Sequence, residues 1–312
     1  MKRLLLVPVL LLPASLFWVF RPMPKEDLAA FGWLCQAQNP DGSWGEGTAT
    51  LDGQAVGKAG LTGLALVTFL DYGYSHLSKD ELRGRTAGKL ARDGMKWLLA
   101  DQLANGTFRS GTGTEVDQAL STLALTEAYG TTGWLLVKAE AQLAVDALAR
   151  MQWEDGSFGD TAATVWAAEV VHSAEVSGLS LPKSVYDGLR RYYETRPARP
   201  AEPGDVTVRL LIDRSRDDPA VSAAAGELAT RSPDLANREY ASAYHMANAL
   251  YLYGNGRPEW ERWSRPVMRS LLDLQSRRGA WTGRTRNVTI VQTCLASRTL
   301  AVSWRFPWRP SK

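Results

Sequence analysis

A turn signature that recurs along the chain constrains its fold more than any other feature. In each copy a Gln is followed, a few residues later, by a Gly, one intervening residue and an aromatic residue. The four copies are Gln36…Gly42-Ser43-Trp44, Gln102…Gly106-Thr107-Phe108, Gln152…Gly156-Ser157-Phe158 and Gln275…Gly279-Ala280-Trp281. A repeat with a period of about 50 to 65 residues indicates an array in which each unit buries its face on its neighbours.

The residues around each copy predict a helical hairpin. An apolar stretch of helical period precedes the Gln, and the Gly ends that helix because it adopts positive φ without penalty. A second helix, rich in Ala, Leu and Val, follows the aromatic residue. We expect the Gln amide to bind backbone groups of the turn while the aromatic ring packs over it. This structural role is assigned to Gln36, Trp44, Gln102, Phe108, Gln152, Phe158, Gln275 and Trp281.

The spacing of the copies predicts six hairpins. The distance from Gln152 to Gln275 is about twice the usual period, so two degenerate units are expected between them. The stretch 287–304 supplies the last helix of the series. Six pairs of alternating outer and inner helices would close into an all-α fold, an α/α toroid. We assign residues 25–312 to this single toroid domain.

Composition agrees with one globular domain and argues against one class of partner. Apolar residues make up 45% of the 312 residues, which is enough to fill a sizeable core. The formal net charge of +3 is too small to indicate nucleic-acid binding. The sequence therefore predicts no nucleic-acid partner.

The N-terminal residues 1–24 carry a separate signal. Lys2 and Arg3 precede an apolar run from Leu4 to Phe20, and basic residues follow it. Such a segment is a secretory signal peptide or an uncleaved membrane anchor. We expect an exported or membrane-anchored protein whose toroid lies outside the cytoplasm. Basic residues on both flanks leave the orientation open.

The Gln-Gly-aromatic repeats resemble the QW repeats of the squalene-hopene cyclase and prenyltransferase superfamily. The segments Glu239–His245 and Trp260–Trp263 resemble squalene-cyclase C-terminal-like bacterial proteins in particular. The resemblance implies a terpenoid cyclase/prenyltransferase-like toroid. It implies an isoprenoid or another apolar small molecule as ligand.

The same resemblance points to candidate acids. Class II cyclases of the superfamily carry an Asp-x-Asp-Asp-Thr-Ala motif at the start of an inner helix, and its middle Asp protonates the substrate. This chain has Glu115-Val116-Asp117-Gln118-Ala119 at the matching place, and Asp160 precedes Thr161-Ala162 one repeat later. The resemblance implies Asp117, Glu115 and Asp160 as catalytic candidates. Helix capping is the alternative role of Asp117 and Asp160, because both begin an expected inner helix.

The expected lumen is aromatic, and no cofactor or metal is expected. Its wall would contain the side chains of Trp166, Tyr240, Tyr244, His245 and Tyr251, which suit an apolar ligand or a stacked sugar. The three His and two Cys include no pair at tight ligand spacing, so no metal site is predicted. Cys35 and Cys294 lie in units that ring closure would bring together, as a disulfide or as two buried thiols.

Three functions remain open from the sequence. The first is a toroid without cyclase activity that serves as a membrane-associated lipid-binding or protein-interaction module. The second is a divergent class II terpenoid cyclase that uses Asp117 as its acid. The third is a carbohydrate-active envelope enzyme, which would need two carboxylates about 5 to 10 Å apart in a wide cleft. We choose the first, because Gln118 and Ala119 depart from the acid motif while the repeat residues are kept.

Overall fold

Two concentric rings of helices form the molecule. The computed structural model describes residues 25–196, 201–213 and 216–305; the proposed leader, residues 1–24, lies outside these ranges. The outer helices are α1 (Lys25–Ala37), α3 (Ala87–Asp101), α5 (Leu135–Ala149), α7 (Lys183–Glu194), α9 (Pro219–Leu228) and α11 (Pro258–Asp273). The inner helices are α2 (Lys58–Asp71), α4 (Glu115–Thr132), α6 (Thr161–Val176), α8 (Pro203–Asp213), α10 (Tyr240–Gly254) and α12 (Arg286–Leu300).

Ring closure confirms the predicted six-hairpin α/α toroid. Each inner helix packs against the next, and α12 packs against α2 to complete the circle. The inner helices are buried nearly all round, since twelve of the 14 residues of α2 are buried. We call the end of the toroid where the inner helices begin the upper face, and the end where they finish the lower face. A short helix, α13 (Val302–Arg305), follows α12 at the lower face.

Two small antiparallel hairpins decorate the rings. Strands β1 (Ala49–Leu51) and β2 (Gln54–Val56) pair at the upper face, in register Ala49 with Val56. Strands β3 (Glu81–Leu82) and β4 (Arg85–Thr86) pair in the loop between α2 and α3. The tip of the first hairpin is Asp52-Gly53, both with positive φ, which is the turn chemistry that a two-residue hairpin loop requires.

The turn residues tie neighbouring hairpins together. The Gln Nε2 makes two kinds of hydrogen bond, each seen in three turns. In one kind it donates to the carbonyl of the Gly four residues later, and in the other it donates to a carbonyl of the following outer helix. The first set is Gln38–Gly42, Gln152–Gly156 and Gln275–Gly279; the second is Gln38–Leu90, Gln102–Glu140 and Gln152–Val185. Each Gln in the second set thus binds one hairpin to the next.

The first copy of the signature was assigned to the wrong Gln. Gln36 is exposed, and the role belongs to Gln38, which is 7% exposed and lies four residues before Gly42. The reason is geometric: the Gln amide reaches the Gly carbonyl only across a span of four residues, whereas Gln36 lies six residues away on another side of α1. The other three copies keep the four-residue spacing.

The aromatic residue of each turn fills the space between the rings. Trp44 and Trp281 are fully buried, and their indole Nε1 atoms donate to Leu34 and Leu271 carbonyls at 2.9 and 2.7 Å. Phe158 is also fully buried, and its backbone N–H donates to Thr164 of α6 at 3.0 Å. Phe108 is buried as well. These residues anchor the upper ends of the inner helices to the outer ring.

Within the described residues, no helix combines the length and apolar character needed to cross a bilayer. The two cysteines are free and buried, and Cys35 Sγ donates to the Leu82 carbonyl at 3.2 Å.

Substitution of Gly156 tests whether the turns lock adjacent hairpins. Gly156 has φ +89°, and a Cβ there would overlap the carbonyl of Gly188 in α7. Gly178 has a similar φ of +71° with open space around it. We expect Gly178→Ala to lower the free energy of unfolding by about 1–2 kcal/mol through backbone strain alone. Gly156→Ala should cost about 1–3 kcal/mol more, because the helices must separate. Urea denaturation measures both; equal losses would contradict the locking role.

Candidate functional site

A buried ion cluster occupies the centre of the ring. Arg298 of α12 is 1% exposed, and its Nε lies 3.1 Å from Asp71 Oδ2 while its Nη2 lies 3.3 Å from Glu169 Oε2. Glu169 belongs to α6, which stands opposite α12 in a ring of six. The Arg298–Glu169 contact therefore spans the lumen. Burying three charges carries a large desolvation free energy, which the pairing among these charges offsets.

Neutral partners complete the hydrogen bonding of Glu169. Tyr244 Oη lies 2.8 Å from both carboxylate oxygens, and Asn248 Nδ2 donates to Oε1 at 3.0 Å. Both partners lie on α10. The same Tyr244 stacks on Trp166 with ring centroids 5.0 Å apart, and the Arg298 guanidinium lies 5.5 and 5.2 Å from the Trp166 and Tyr244 rings. Aromatic and charged side chains thus meet in the lumen.

The first hairpin closes the lumen from the upper face. Asp52 at its tip accepts from Trp166 Nε1 at 3.3 Å, and its Oδ2 lies 2.9 Å from His245 Nε2. Asp52 and His245 are both largely buried, with side chains 11% and 12% exposed. Leu51 beside the tip and Val56 at the other end of the hairpin are buried. An apolar ligand could therefore reach the aromatic wall from this side only by displacing the hairpin.

Burial alone raises the pKa of the Asp52 carboxyl. The charge of His245 and the hydrogen bonds from His245 and Trp166 act in the opposite direction and outweigh it, so the pKa lies below its ordinary value. A carboxyl with a depressed pKa in the folded state stabilises that state above its unfolded pKa of about 3.9. This contribution is lost as the pH falls through the folded-state pKa.

We therefore expect the hairpin to be anchored by Asp52 at pH 5 and to lose that anchorage at lower pH. Asp52→Asn should reduce the free energy of unfolding at pH 5, and the difference from wild type should shrink at pH 3. Denaturant titrations at both pH values measure this double difference, with the exposed Asp80→Asn as control. A difference that is unchanged or larger at pH 3 would contradict the assignment.

Helix capping was the alternative role expected for Asp117, but Asp117 does not cap α4. Thr114 is the N-cap of α4, while Asp117 Oδ2 accepts from Gly57 N at 3.0 Å, from Thr112 Oγ1 at 2.9 Å and from Thr112 N. The carboxylate thus joins the 110–114 loop to the start of α2. Its Oδ1 is buried against Gly60, where a Cβ would overlap it. Only a glycine at position 60 leaves room for this carboxylate.

The other two acid candidates, Asp160 and Glu115, have hydrogen-bond partners different from those of Asp117. Asp160 is the N-cap of α6, accepting from Ala163 N at 2.9 Å, and its other oxygen accepts from Gln54 Nε2 at 2.7 Å. Glu115 accepts from Trp153 Nε1 at 3.3 Å. Each of these carboxylates thus has its own partners at the upper face.

The predicted lumen residues fall into two groups. Trp166, Tyr244 and His245 meet at the ring centre, where the His245 ring lies 5.9 Å from Trp166. Tyr240 is buried at the start of α10. Tyr251 was misplaced: it packs edge-on against Trp260 of the outer helix α11, with centroids 5.2 Å apart. It lies near the other end of α10, two helical turns from Tyr244.

Sequence reasoning missed Arg298, Asp71, Asn248 and Asp52 as members of this centre. Arg298 carried a usable signal, since it is the only charged residue of α12 after Arg286. Asp52-Gly53 is also a strong hairpin dipeptide. Asp71 and Asn248 offered no local signal, because their partners are distant in sequence.

Two cavities lie elsewhere among the helices, and both are small. One of about 50 Å³ is lined by residues that include Phe108, Asp117, Gln118 and Met151. Another of about 40 Å³ lies between α7, α8 and α9. Pockets for organic ligands measure about 300–1,000 Å³, so neither holds an isoprenoid as it stands. Among the described residues, no group of three His, Cys, Asp or Glu side chains is placed to hold a metal ion.

Comparisons with known proteins identify the fold. No protein-family model and no curated protein matches the sequence. The type II terpene cyclase MstE from Scytonema is similar in structure, with a TM-score of 0.62 at 14% identity, covering 89% of this chain and 97% of that chain. A protein from Actinoplanes has a TM-score of 0.55 at 17% identity, covering 90% of this chain and 98% of that one.

The chain therefore has a terpene cyclase-like fold. A variant of MstE with one aspartate replaced is described in complex with the substrate geranylgeranyl dihydroxybenzoate, with a TM-score of 0.60 at 14% identity over 90% of this chain and 97% of that chain. That cyclase is covered almost completely by a chain of this length.

Proposed function

We propose that this protein is a terpene cyclase-like toroid that binds an isoprenoid or another apolar lipid at a membrane without cyclising it. The placement of Asp117 carries the proposal. Asp117, which the sequence resemblance matches to the acid of class II cyclases, holds the 110–114 loop and the start of α2 together. The cavity beside it, of about 50 Å³, is far smaller than an isoprenoid.

The binding surface proposed for the lipid is the aromatic wall under the first hairpin. Trp166 and Tyr244 offer stacked rings, and His245 meets them edge-on. Apolar ligands favour such walls. Lifting the hairpin would expose this wall at the loss of the Asp52 contacts, while the Arg298 cluster stays as the floor. A membrane location rests on the apolar run in residues 4–20.

Lipid extraction and native mass spectrometry of protein purified from membranes test this proposal. Wild type and Asp117→Asn are compared, and Asp160→Asn serves as the matched carboxylate control at the upper face. We expect the same co-purifying apolar lipid in all three, because the wall does not involve Asp117. Asp117→Asn should be less stable by about 1.5–3 kcal/mol, through a weakened charge-assisted hydrogen bond.

Two outcomes would contradict the proposal. A cyclised product that is present with wild type and absent with Asp117→Asn would make the protein an enzyme. The absence of lipid from every sample would favour a protein-binding role instead.

The structural neighbours favour a second candidate, a divergent type II terpenoid cyclase. Besides Asp117, the Asp52–His245 pair is a candidate for the acid. Asp52 Oδ2 and His245 Nε2 lie 2.9 Å from each other, against the aromatic wall. A cation formed on an alkene there would face the rings of Trp166 and Tyr244. Loss of product in Asp52→Asn but not in Asp117→Asn would identify this pair as the acid.

The carbohydrate-active alternative has less support. It requires two carboxylates in a wide polar cleft. In the described part of the chain, the carboxylates at the ring centre are Asp71, Glu169 and Asp52. The first two are buried on Arg298, and Asp52 is largely buried against His245.

A further inference from the structure

Large apolar side chains are exposed on one end of the toroid. Of the six exposed large apolar residues in the described ranges, four lie at the lower face, and they are 66–75% exposed: Leu77, Leu135, Leu136 and Val176. The remaining two, Trp153 and Leu274, follow the outer helices α5 and α11 at the other end. We call the four lower-face residues the apolar rim.

Specific contacts hold the segments of the apolar rim side by side. His76 stacks on Trp134 with ring centroids 4.0 Å apart, which joins the α2–α3 loop that carries Leu77 to the start of α5, where Leu135 lies. Ser177 Oγ donates to the Thr126 carbonyl at 3.3 Å, which holds the end of α6 against α4. The four rim residues thus belong to three consecutive hairpins, from the α2–α3 loop to the end of α6.

The chain enters the toroid at this same face. Phe31 of α1 packs on Tyr72 and Tyr74, just beyond the end of α2, with centroids 4.8 and 5.1 Å apart. The first residue of α1, Lys25, lies six residues earlier, so it lies about 9 Å farther out along the helix axis. The apolar run of residues 4–20 is joined to the toroid there. The described part of the chain therefore begins on the same side of the molecule as the apolar rim.

We propose that the lower face rests on a lipid bilayer, with the apolar rim inserted at the boundary between headgroups and acyl chains. This inference rests on the membrane location in the proposed function and adds the surface and orientation. Exposed charges near the rim have both signs: Lys79 and Lys138 are accompanied by Asp80, Glu81 and Glu175. Apolar insertion rather than charge drives the contact, so neutral lipid suffices and salt has little effect.

The lower face is apolar on one side only. On the far side of the ring, Arg257 pairs with Asp217 at 3.1 Å and Arg209 with Asp218 at 3.3 Å. These ion pairs favour water. The toroid therefore lies tilted on the bilayer, with α2 to α6 closest to the lipid and the upper face, with the first hairpin, turned away.

Nitroxide labels on the full chain in phosphatidylcholine vesicles test the orientation. Leu136→Cys and Val176→Cys place labels in the apolar rim, and Leu274→Cys is the matched control at the upper face. The native thiols are buried, and burial raises the pKa of Cys294 to about 12, so they should react little; unmutated protein measures that background. Collision rates with oxygen, which enters lipid, and with a nickel chelate, which stays in water, are then compared.

We expect several-fold higher collision rates with oxygen than with the chelate at positions 136 and 176, and the reverse at 274, with little change in high salt. Flotation with the vesicles is measured on the same samples. Labels at 136 and 176 that behave like the label at 274, on protein that floats, would overturn the docking face while leaving the membrane location intact. Protein that does not float would overturn the membrane location as well.

Discussion

Arg298 is the charge on which the arrangement of the ring depends. It is almost completely buried, and it is paired with carboxylates from two other inner helices, Asp71 at the end of α2 and Glu169 within α6. Removing one partner of such a buried pair typically costs about 3–5 kcal/mol, because the other charge stays uncompensated. Only when all six hairpins are closed do α12, α2 and α6 present these groups to one another. The cluster therefore stabilises the closed ring relative to an open array of hairpins.

The same cluster sets what the lumen can do. A toroid that carries out chemistry on an isoprenoid needs an empty apolar volume beside an acid. Here the described centre holds Arg298, Glu169, Tyr244 and Trp166, and Asp52 reaches in from the first hairpin. The ring keeps a terpene cyclase-like fold while its middle serves as a polar floor. The ligand that we propose would bind above this floor, under the first hairpin.

The sequence predicted the architecture because the repeat signal is local. A Gln, a Gly and an aromatic residue within seven positions specify one turn, and their recurrence specifies the array. The error at Gln36 shows that the exact spacing matters, since a difference of two residues moves the Gln amide away from the turn. Gln38, with the four-residue spacing of the other copies, was available in the sequence.

The site was less predictable because its contacts are long-range. Arg298 and Glu169 are separated by 129 residues, and Asp52 and His245 by 193. No local pattern pairs them; they meet only because ring closure puts α6 opposite α12 and the first hairpin over α10. Asp117 is the opposite case, because its place on a helix was predicted while its contacts were not. The motif located it at the start of α4, but its partners Gly57 and Thr112 lie on a neighbouring helix and a loop, which the motif did not reveal.

Proton transfer to an alkene is the most direct test of the central claim that this toroid binds without cyclising. The protein is incubated in D₂O with geranylgeranyl dihydroxybenzoate, the substrate named for the Scytonema cyclase, and the extract is analysed by mass spectrometry. Protonation from the enzyme would leave one deuterium in each cyclised molecule. Our account predicts that the compound is recovered unchanged. A deuterated cyclic product, formed by wild type and lost in Asp117→Asn or in Asp52→Asn, would contradict it and identify the acid.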